Sequence, residues 1–208
     1  METFGTPFSI VGCTMKEKEK KMYTLLLLLI YLAFISLGLP DSLLGSAWPV
    51  MHKAFQVPLS YAGLVTMIIS GGTICSSLMS ERLTKKFGTQ IVTVFSVMLT
   101  AIALFGFSTA SAFWMLCLWA IPYGLGAGAI DAALNNYVAL HYNSRHMSWL
   151  HCFWGLGTII SPYVMSYALT TSVWQNGYRM VSFIQIGIAL ILFVTLPIWK
   201  VNKKETAQ

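Results

Sequence analysis

Charged side chains are scarce in this chain: 10% of its 208 residues are Asp, Glu, Lys or Arg, whereas 56% are hydrophobic. Soluble globular domains carry about 25% charged residues. A soluble fold of this size has too little polar surface to cover so much apolar material, so lipid must cover part of it. The composition therefore excludes an ordinary soluble domain and predicts an integral membrane protein in contact with the lipid bilayer.

The residues that would build a metal centre, a disulfide framework or a hydrolytic site are also missing. No two of the four cysteines have the spacing of metal ligands, and we interpret all of them as small packing residues. The apolar segments contain no Gly-x-Ser-Gly string and no paired catalytic histidines, which an intramembrane hydrolase would need to activate a nucleophile. We therefore expect a protein that is not an enzyme and that has no cofactor and no metal.

The net charge of +6 does not indicate nucleic acid as a partner. The basic residues form short clusters between long apolar runs and do not share one face. Such clusters at helix ends are typical of contact with anionic lipid and of membrane orientation. We predict no binding to nucleic acid.

Six apolar segments are each long enough to cross about 30 Å of hydrocarbon at ~1.5 Å per residue. They are predicted at Met22–Ala47, Ser60–Leu83, Gln90–Phe107, Ala112–Leu140, Ser148–Leu169 and Tyr178–Trp199. The predicted organisation is a polar N-terminal tail over residues 1–21, a six-helix transmembrane bundle over 22–199 and a C-terminal tail over 200–208.

The distribution of Lys and Arg predicts the orientation. If the N-terminus is cytoplasmic, the inside segments hold eleven basic residues and the outside segments hold two, Lys53 and Arg179. Basic residues favour the cytoplasmic side, and most of the tryptophans fall near span ends, as in an aromatic belt. We expect a multi-pass protein of the plasma or inner membrane of the cell, with both termini in the cytoplasm.

Spans one to three and spans four to six are predicted to form two units of opposite orientation. Asp41 lies 19 residues after Met22 in the first span, and Asp131 lies 19 residues after Ala112 in the fourth. Transporters are often built from such inverted repeats. The sequence therefore predicts an all-α membrane protein whose six transmembrane helices form two inverted three-helix repeats.

Asp41 and Asp131 stand out as acids deep within predicted spans. An acid near a helix centre costs roughly 2.5–3.5 kcal/mol on insertion scales, so intramembrane acids usually serve a function. The functional interpretation is a carboxylate that faces a water-filled cavity and binds a coupling proton or cation. The alternative is an interfacial or capping residue, which applies best to Asp41 because Pro40 precedes it and Ser42 and Gly45 follow.

A polar cluster is predicted around Asp131. Asn135 lies one helical turn later and shares its face. His151 is expected at a similar depth, because Asn135 and His151 lie equally far from the connection between spans four and five. Asn135 would bond the carboxylate or a polyol, and His151 would relay protons near neutral pH. The alternatives are an interhelical hydrogen bond for Asn135 and a His151 that only orients a neighbour or caps a helix.

The other candidates for solute binding are amides and aromatic rings, since sugar sites combine the two. They are Asn136, Gln185, Trp154 and Tyr123, and ordinary core packing is the alternative for each.

Small residues and prolines predict how the spans pack. Gly124 and Gly128 lie four residues apart in the fourth span, which favours a close helix contact. Pro40, Pro122 and Pro162 lie within spans and are expected to mark kinks whose freed carbonyls are satisfied inside the bundle.

Between spans two and three, residues 77–86 resemble the major facilitator loop signature Gly-x-Leu-Ala-Asp-Arg-x-Gly-Arg-Lys. Glu81 takes the place of the Asp, while Arg82, Lys85 and Lys86 match in charge, and hydroxyl residues replace both glycines. The resemblance implies a conformational-gating loop made of these four charged residues.

Spans four and five resemble the fucose permease-like branch of that superfamily, whose members are sugar:cation symporters. The string Gly-x-Gly-x-Gly-x-x-Asp-x-x-x-Asn begins at Gly124 and includes Asp131 and Asn135. The string Leu-His-x-x-x-Gly-x-Gly-x-x-x-x-Pro begins at Leu150 and ends at Pro162.

The resemblance covers nearly the whole chain but only the N-terminal half of the family's fold, in which two six-helix bundles enclose the substrate. It implies uptake of a small polar solute, most likely a sugar, with a proton or sodium as coupling ion and acids in spans one and four. A second six-helix half is then expected as partner, either another chain or a homodimer copy, and a truncated product is the third explanation. The rival hypothesis is a non-transporting membrane subunit that only packs against a partner membrane protein.

Overall fold

The computed structural model describes residues 7–197, with side chains from residue 22 onward. This described part consists of seven α-helices and contains no strand. They are α1 (Pro7–Asp41), α2 (Leu43–Ala54), α3 (Tyr61–Phe87), α4 (Thr89–Thr109), α5 (Phe113–His141), α6 (Ser144–Thr171) and α7 (Trp174–Val194). The predicted all-α fold class is confirmed.

Six segments of the described chain are long and apolar enough to cross a membrane. The first, Met22–Ala54, combines most of α1 with α2, and each of α3 to α7 supplies one more. Each corresponds to a predicted span. The last two begin at Ser144 and Trp174, about one turn before their predicted starts. Hydropathy alone misses these turns because transmembrane helices continue into the polar interface, where tryptophan is favoured.

The predicted tails are described only in part. α1 begins at Pro7, so residues 7–21 continue the helix of the first span. Residues 1–6, the predicted end of the bundle at 199 and the predicted C-terminal tail over 200–208 lie outside the described residues.

Pro40 breaks the first span. Proline has no N–H, so the carbonyl four residues earlier, that of Ser36, loses its helical partner. The Nε2 of Gln185 in α7 donates a hydrogen bond of 2.6 Å to this carbonyl oxygen. α1 ends at Asp41 and α2 begins at Leu43. The expectation that a proline kink frees a carbonyl that the bundle satisfies is confirmed at Pro40.

The packing follows the inverted repeat. α3 packs mainly against α5, and α6, its counterpart in the second unit, packs mainly against α1. α4 and α7, the third helices of the two units, pack against each other. Each unit therefore sets its middle helix against the first helix of the other, as two inverted repeats should.

Glycines make the α3–α5 and α1–α6 contacts close. On the α3–α5 contact a Cβ at Gly124 would overlap the Ile69 carbonyl, and on the α1–α6 contact a Cβ at Gly157 would overlap the Ile35 carbonyl. Small residues allow such approach in a membrane, where apolar burial does not itself drive helices together. The packing role predicted for the glycines of the fourth span is confirmed.

Hydroxyl groups add hydrogen bonds across the α3–α5 contact. Thr73, Ser77 and Ser80 of α3 donate to backbone carbonyl oxygens of α5 at 3.3, 3.2 and 3.4 Å. Such bonds between helices are modest individually, and they fix the register of α3 against α5.

The end of α3 corrects one prediction. The four charged residues expected in a loop lie instead in the last two turns of this helix: Glu81, Arg82, Lys85 and Lys86. Lys85 Nζ pairs with Glu81 Oε1 at 2.6 Å across one turn, and basic residues stabilise a helix C-terminus. Gly88 alone separates α3 from α4, with a φ of 88° that glycine adopts without strain. The gating role of these residues stays a prediction.

We expect Gln185→Met to lower the free energy of unfolding by about 1 kcal/mol, because the Ser36 carbonyl then stays unpaired inside the bundle. The same substitution should cost less in a Pro40→Ala background, where residue 40 has an N–H for that carbonyl. Thermal unfolding of the wild type, both single variants and the double variant in one detergent measures both effects. Equal losses in the two backgrounds would contradict this assignment.

Gly157→Ala and Gly155→Ala form a matched pair on α6. We expect the first to lower the free energy of unfolding by about 1–3 kcal/mol through overpacking against α1. Nothing lies within 4 Å of a Cβ at Gly155, so alanine there should be neutral or stabilise the helix by up to about 1 kcal/mol. The same unfolding measurement applies, and a similar loss at both positions would rule out the α1–α6 contact as the cause.

Candidate functional site

The carboxylate of Asp41 is held by side chains from two other helices. The indole Nε1 of Trp154 in α6 donates to Oδ2 at 2.8 Å, and the hydroxyl of Tyr123 in α5 donates to Oδ1 at 3.0 Å. Hydrogen bonds to a charged acceptor are among the stronger ones in proteins. The Asp41 side chain nevertheless remains exposed. The structure thus brings three predicted site residues into one unit, which we call the Asp41 triad.

The local sequence explains how the triad forms. The proline break ends α1 at Asp41, so the residue sits at the junction of α1 and α2. One turn earlier, a Cβ at Gly38 would overlap the Trp154 carbonyl, and this close approach of α6 to α1 brings the indole within reach of the carboxylate. The ring of Tyr123 packs against Phe107 of α4, with centroids 6.2 Å apart.

Asp41 lines an open cavity of about 390 Å³. Its walls come from α1 to α5 and α7 and are largely apolar; they include Leu44, Ile69, Leu104 and Phe107. The hydroxyls in the wall already have partners: Thr66 donates to its own helix, Tyr123 to Asp41 and Tyr178 to the sulfur of Met51. The carboxylate is therefore the dominant polar group of a space whose volume suits a small ligand.

The second acid, Asp131, lies on α5 with the partners that the sequence predicts. Asn135 Nδ2 donates a hydrogen bond of 2.9 Å to Asp131 Oδ1 across one turn. The carboxylate also interacts electrostatically with His151 of α6, whose ring lies edge-on to Phe34. The structure brings these three polar residues together, and their roles in ion coupling and solute binding stay predictions.

Helix α6 carries a partner residue for each of the two acids. His151 and Trp154 lie one turn apart on α6, and they interact with Asp131 and Asp41 respectively. One helix of the second repeat thus contributes a partner to each acid.

The two acids follow the same local pattern. Asp41 comes three residues after Gly38, and Asp131 comes three residues after Gly128. Both glycines lie at close helix contacts, because a Cβ at Gly38 would overlap the backbone of α6 and one at Gly128 the backbone of α3. Each repeat therefore carries its acid about one turn beyond a close approach of two helices.

Two other predicted site residues lie away from this cavity. Gln185 is 1% exposed and bonds the Ser36 carbonyl, so it lies at a helix contact. Asn136 lines a separate polar groove of about 360 Å³ beside Glu81 and Lys85. Their part in solute binding stays a prediction.

Sequence reasoning did not find most residues that shape the cavity, such as Leu104, Phe107 and Tyr178. An apolar residue in an apolar span carries no signal that separates a cavity wall from a lipid-facing or helix-facing position. Aromatic content was the one available signal, since the Phe107 ring packs against both Tyr123 and Tyr178.

Comparisons with known proteins agree with this architecture. A sequence profile described as Major Facilitator Superfamily matches residues 30–208. Bypass of stop codon protein 6 of Saccharomyces cerevisiae is 23% identical over 163 residues, which cover 77% of this chain and 33% of that protein. The glucose/mannose transporter GlcP of Bacillus subtilis is 22% identical over 182 residues, which cover 86% of this chain and 44% of that protein. The chain thus spans less than half the length of these curated relatives.

A double-mutant cycle tests the Asp41–Trp154 bond. Trp154→Phe removes the indole N–H and Asp41→Ala removes the carboxylate. We expect the two losses in unfolding free energy to be non-additive by about 1.5–3 kcal/mol, the usual contribution of a hydrogen bond to a charged group. A control cycle pairs Trp154→Phe with Asp131→Ala, for which additivity within about 0.5 kcal/mol is expected. Additivity in both cycles would contradict the bond.

Proposed function

This chain belongs to the Major Facilitator Superfamily, a family of transporters, and from that premise we propose that its bundle is one wall of a secondary transporter for a small polar solute. The observation that carries this proposal is the Asp41 triad: a carboxylate that two donors from other helices hold at the edge of a cavity of about 390 Å³. An acid in a transmembrane bundle is expensive unless it serves binding or coupling.

A sugar is the solute we propose first, in line with the resemblance to fucose permease-like symporters. A carboxylate accepts hydrogen bonds from adjacent hydroxyls, the exposed ring of Trp154 beside it offers a face for stacking, and Tyr123 lines the cavity. One relative is named a glucose/mannose transporter, which supports testing hexoses. Because the rest of this wall is largely apolar, the opposite wall would supply the remaining polar partners. We leave Gln185 and Asn136 out of this binding surface.

Ion coupling is assigned to Asp41 and Asp131. A proton or sodium ion that binds Asp41 competes for the oxygens that accept from Trp154 and Tyr123, and it thereby frees a donor toward the solute. Asp131 has Asn135 as its hydrogen-bond partner, and we assign His151 of the neighbouring helix α6 to relay a proton to Asp131. Solute and ion binding are thus linked through one carboxylate.

The proposal includes a second six-helix half, because alternating access needs two bundles that rock about a common site. Of the six spans, α3 and α6 have the least of their surface buried inside the described bundle. Tyr163 and Tyr167 of α6 are both exposed. We propose that these two helices face the second half, whether another chain or a copy of this one supplies it. We also propose that the protein lies in the plasma or inner membrane with both termini cytoplasmic, as its basic residues indicate.

The alternative function is a non-transporting membrane subunit that only packs against a partner protein. The exposed faces of α3 and α6 favour it as much as they favour a transporter half. The two functions differ at the cavity, because a packing subunit has no use for a charged group there.

Transport is tested by uptake of radiolabelled glucose, mannose and fucose into proteoliposomes under an imposed proton or sodium gradient. The vesicles contain this chain alone or with any six-helix chain that copurifies with it. We expect gradient-driven uptake that Asp41→Asn abolishes. Asp131→Asn should abolish accumulation of the solute against its own concentration gradient. It should leave the exchange of labelled for unlabelled solute intact. If Asp131→Asn left ion-driven uptake unchanged, the coupling role assigned to it would be wrong.

Two glycines provide a matched test of the cavity itself. Gly45 lines the cavity, and nothing lies within 4 Å of a Cβ at Gly45 or at Gly187 of α7. We expect Gly45→Leu to weaken solute binding by roughly 10-fold or more, the range that misfit of one small group produces in a pocket. Gly187→Leu should leave binding unchanged. Absence of hexose binding in the wild type, alone and with copurifying chains, would favour the non-transporting subunit.

A further inference from the structure

A second surface feature lies where α3 and α4 meet. An apolar groove of about 330 Å³ runs between the last turn of α3 and the first two turns of α4, and it is lined by Leu83, Phe87, Ile91, Val92, Phe95 and Ser96. Phe87, Ile91 and Phe95 are 48, 46 and 69% exposed, so the groove opens outward from the bundle. We call it the α3–α4 groove.

The α3–α4 groove is separate from the solute cavity. The cavity reaches α3 at Thr66 and Ile69, whereas the groove begins at Leu83. Fourteen residues of helix between Ile69 and Leu83 correspond to about 21 Å along the helix axis. The groove lies at the end of two membrane-spanning helices, which is the depth of a lipid headgroup and the upper part of its acyl chain.

Positive charge borders the groove on one side. Lys86 Nζ lies over the ring of Phe87, 5.3 Å from its centroid, so the ammonium group sits above a residue that lines the groove. Arg82 lies one turn before Lys86 on the same side of α3, and both are exposed. Lys85 and Glu81, which pair with each other, line a separate groove beside Asn136 of α5.

Within the described structure, positive charge exceeds negative charge at the end of α3. Lys85 takes Glu81 as its partner, and between Ser60 and Ala112 the sequence contains no other acid. α4 carries no charged residue at all. The end of α3 thus keeps an excess of positive charge, three basic residues against one acid, and Lys86 carries part of it beside the apolar groove.

We propose that the α3–α4 groove binds an anionic phospholipid, with one acyl chain in the groove and the headgroup phosphate against Lys86 and Arg82. A soluble anion would leave the apolar groove unfilled, and a purely apolar ligand would leave the Lys86 ammonium without an anionic partner. A phospholipid has a charged headgroup followed by an apolar acyl chain, which is the order in which the basic residues and the apolar groove occur along the membrane normal. In the proposed orientation this is the cytoplasmic leaflet, where anionic lipids concentrate.

Native mass spectrometry of the detergent-purified chain with added phosphatidylglycerol or phosphatidylcholine of the same acyl composition measures the preference. We expect the wild type to retain phosphatidylglycerol in preference to phosphatidylcholine. Lys86→Gln should reduce this preference by about fivefold, the effect of one basic residue near an anionic surface. Arg82→Gln/Lys86→Gln should abolish it.

Lys85→Gln is the matched control, because it removes the same charge one residue away, on the face of α3 beside Asn136 of α5. We expect it to leave the preference within about twofold of the wild type, since its ammonium is not near the groove. An equal loss in Lys85→Gln and Lys86→Gln would overturn the site in favour of diffuse surface charge. No preference in the wild type would overturn it as well.

Photo-crosslinking locates the lipid independently. Phosphatidylglycerol with a diazirine in its acyl chain should label peptides of the α3 end and the α4 start in nanodiscs, and Arg82→Gln/Lys86→Gln should reduce that labelling. Soluble glycerophosphoglycerol in excess should not displace it, because it lacks the chain that fills the groove. Even labelling of all exposed helices, or displacement by the soluble headgroup, would refute the proposal.

Discussion

In a bilayer, a backbone carbonyl without a partner inside the protein is costly, and this constraint decides where the bundle can break a helix. Pro40 removes the N–H that would bond the Ser36 carbonyl, and Gln185 from the last span supplies the replacement. The break places Asp41 at the junction of α1 and α2. The Asp41 triad and its cavity therefore depend on an amide that touches neither the acid nor the open space.

The inverted repeat organises the rest of the candidate site. Close helix contacts at Gly38 and Gly128 each precede an acid by three residues. The two carboxylates therefore occupy equivalent positions in the two repeat units. The surroundings then diverge. Asp41 follows a proline and accepts from an indole and a phenol of other helices, whereas Asp131 lies in a continuous helix beside its own Asn135. One symmetry thus yields two acids in different chemical environments.

Much of this arrangement was predictable because it depends on short-range rules. Hydropathy gave the six spans, helical periodicity gave the Asp131–Asn135 pair, and the missing N–H of proline required a partner for one carbonyl. Other features depend on contacts that sequence distance hides. Nothing in the sequence identifies Gln185 as the partner of the Ser36 carbonyl across the bundle, because the two residues lie 149 positions apart.

The aromatic walls of the cavity were hidden for another reason. Phe107 and Tyr178 lie in apolar runs where the pattern is the same for lipid, helix or cavity contacts. The α3 end is expected as a loop because residues 77–86 resemble a loop signature of the family, but an ion pair one turn apart and the helix dipole keep it helical.

The one-residue connection at Gly88 also constrains how the protein is made. α3 leaves most of its surface outside the bundle and ends in four charged residues, while α4 follows it without a charge. A single residue holds the end of α3 and the start of α4 at the same depth, so the two helices form a tight hairpin. We expect this hairpin to enter the membrane as one unit, with the more apolar α4 favouring the insertion of α3.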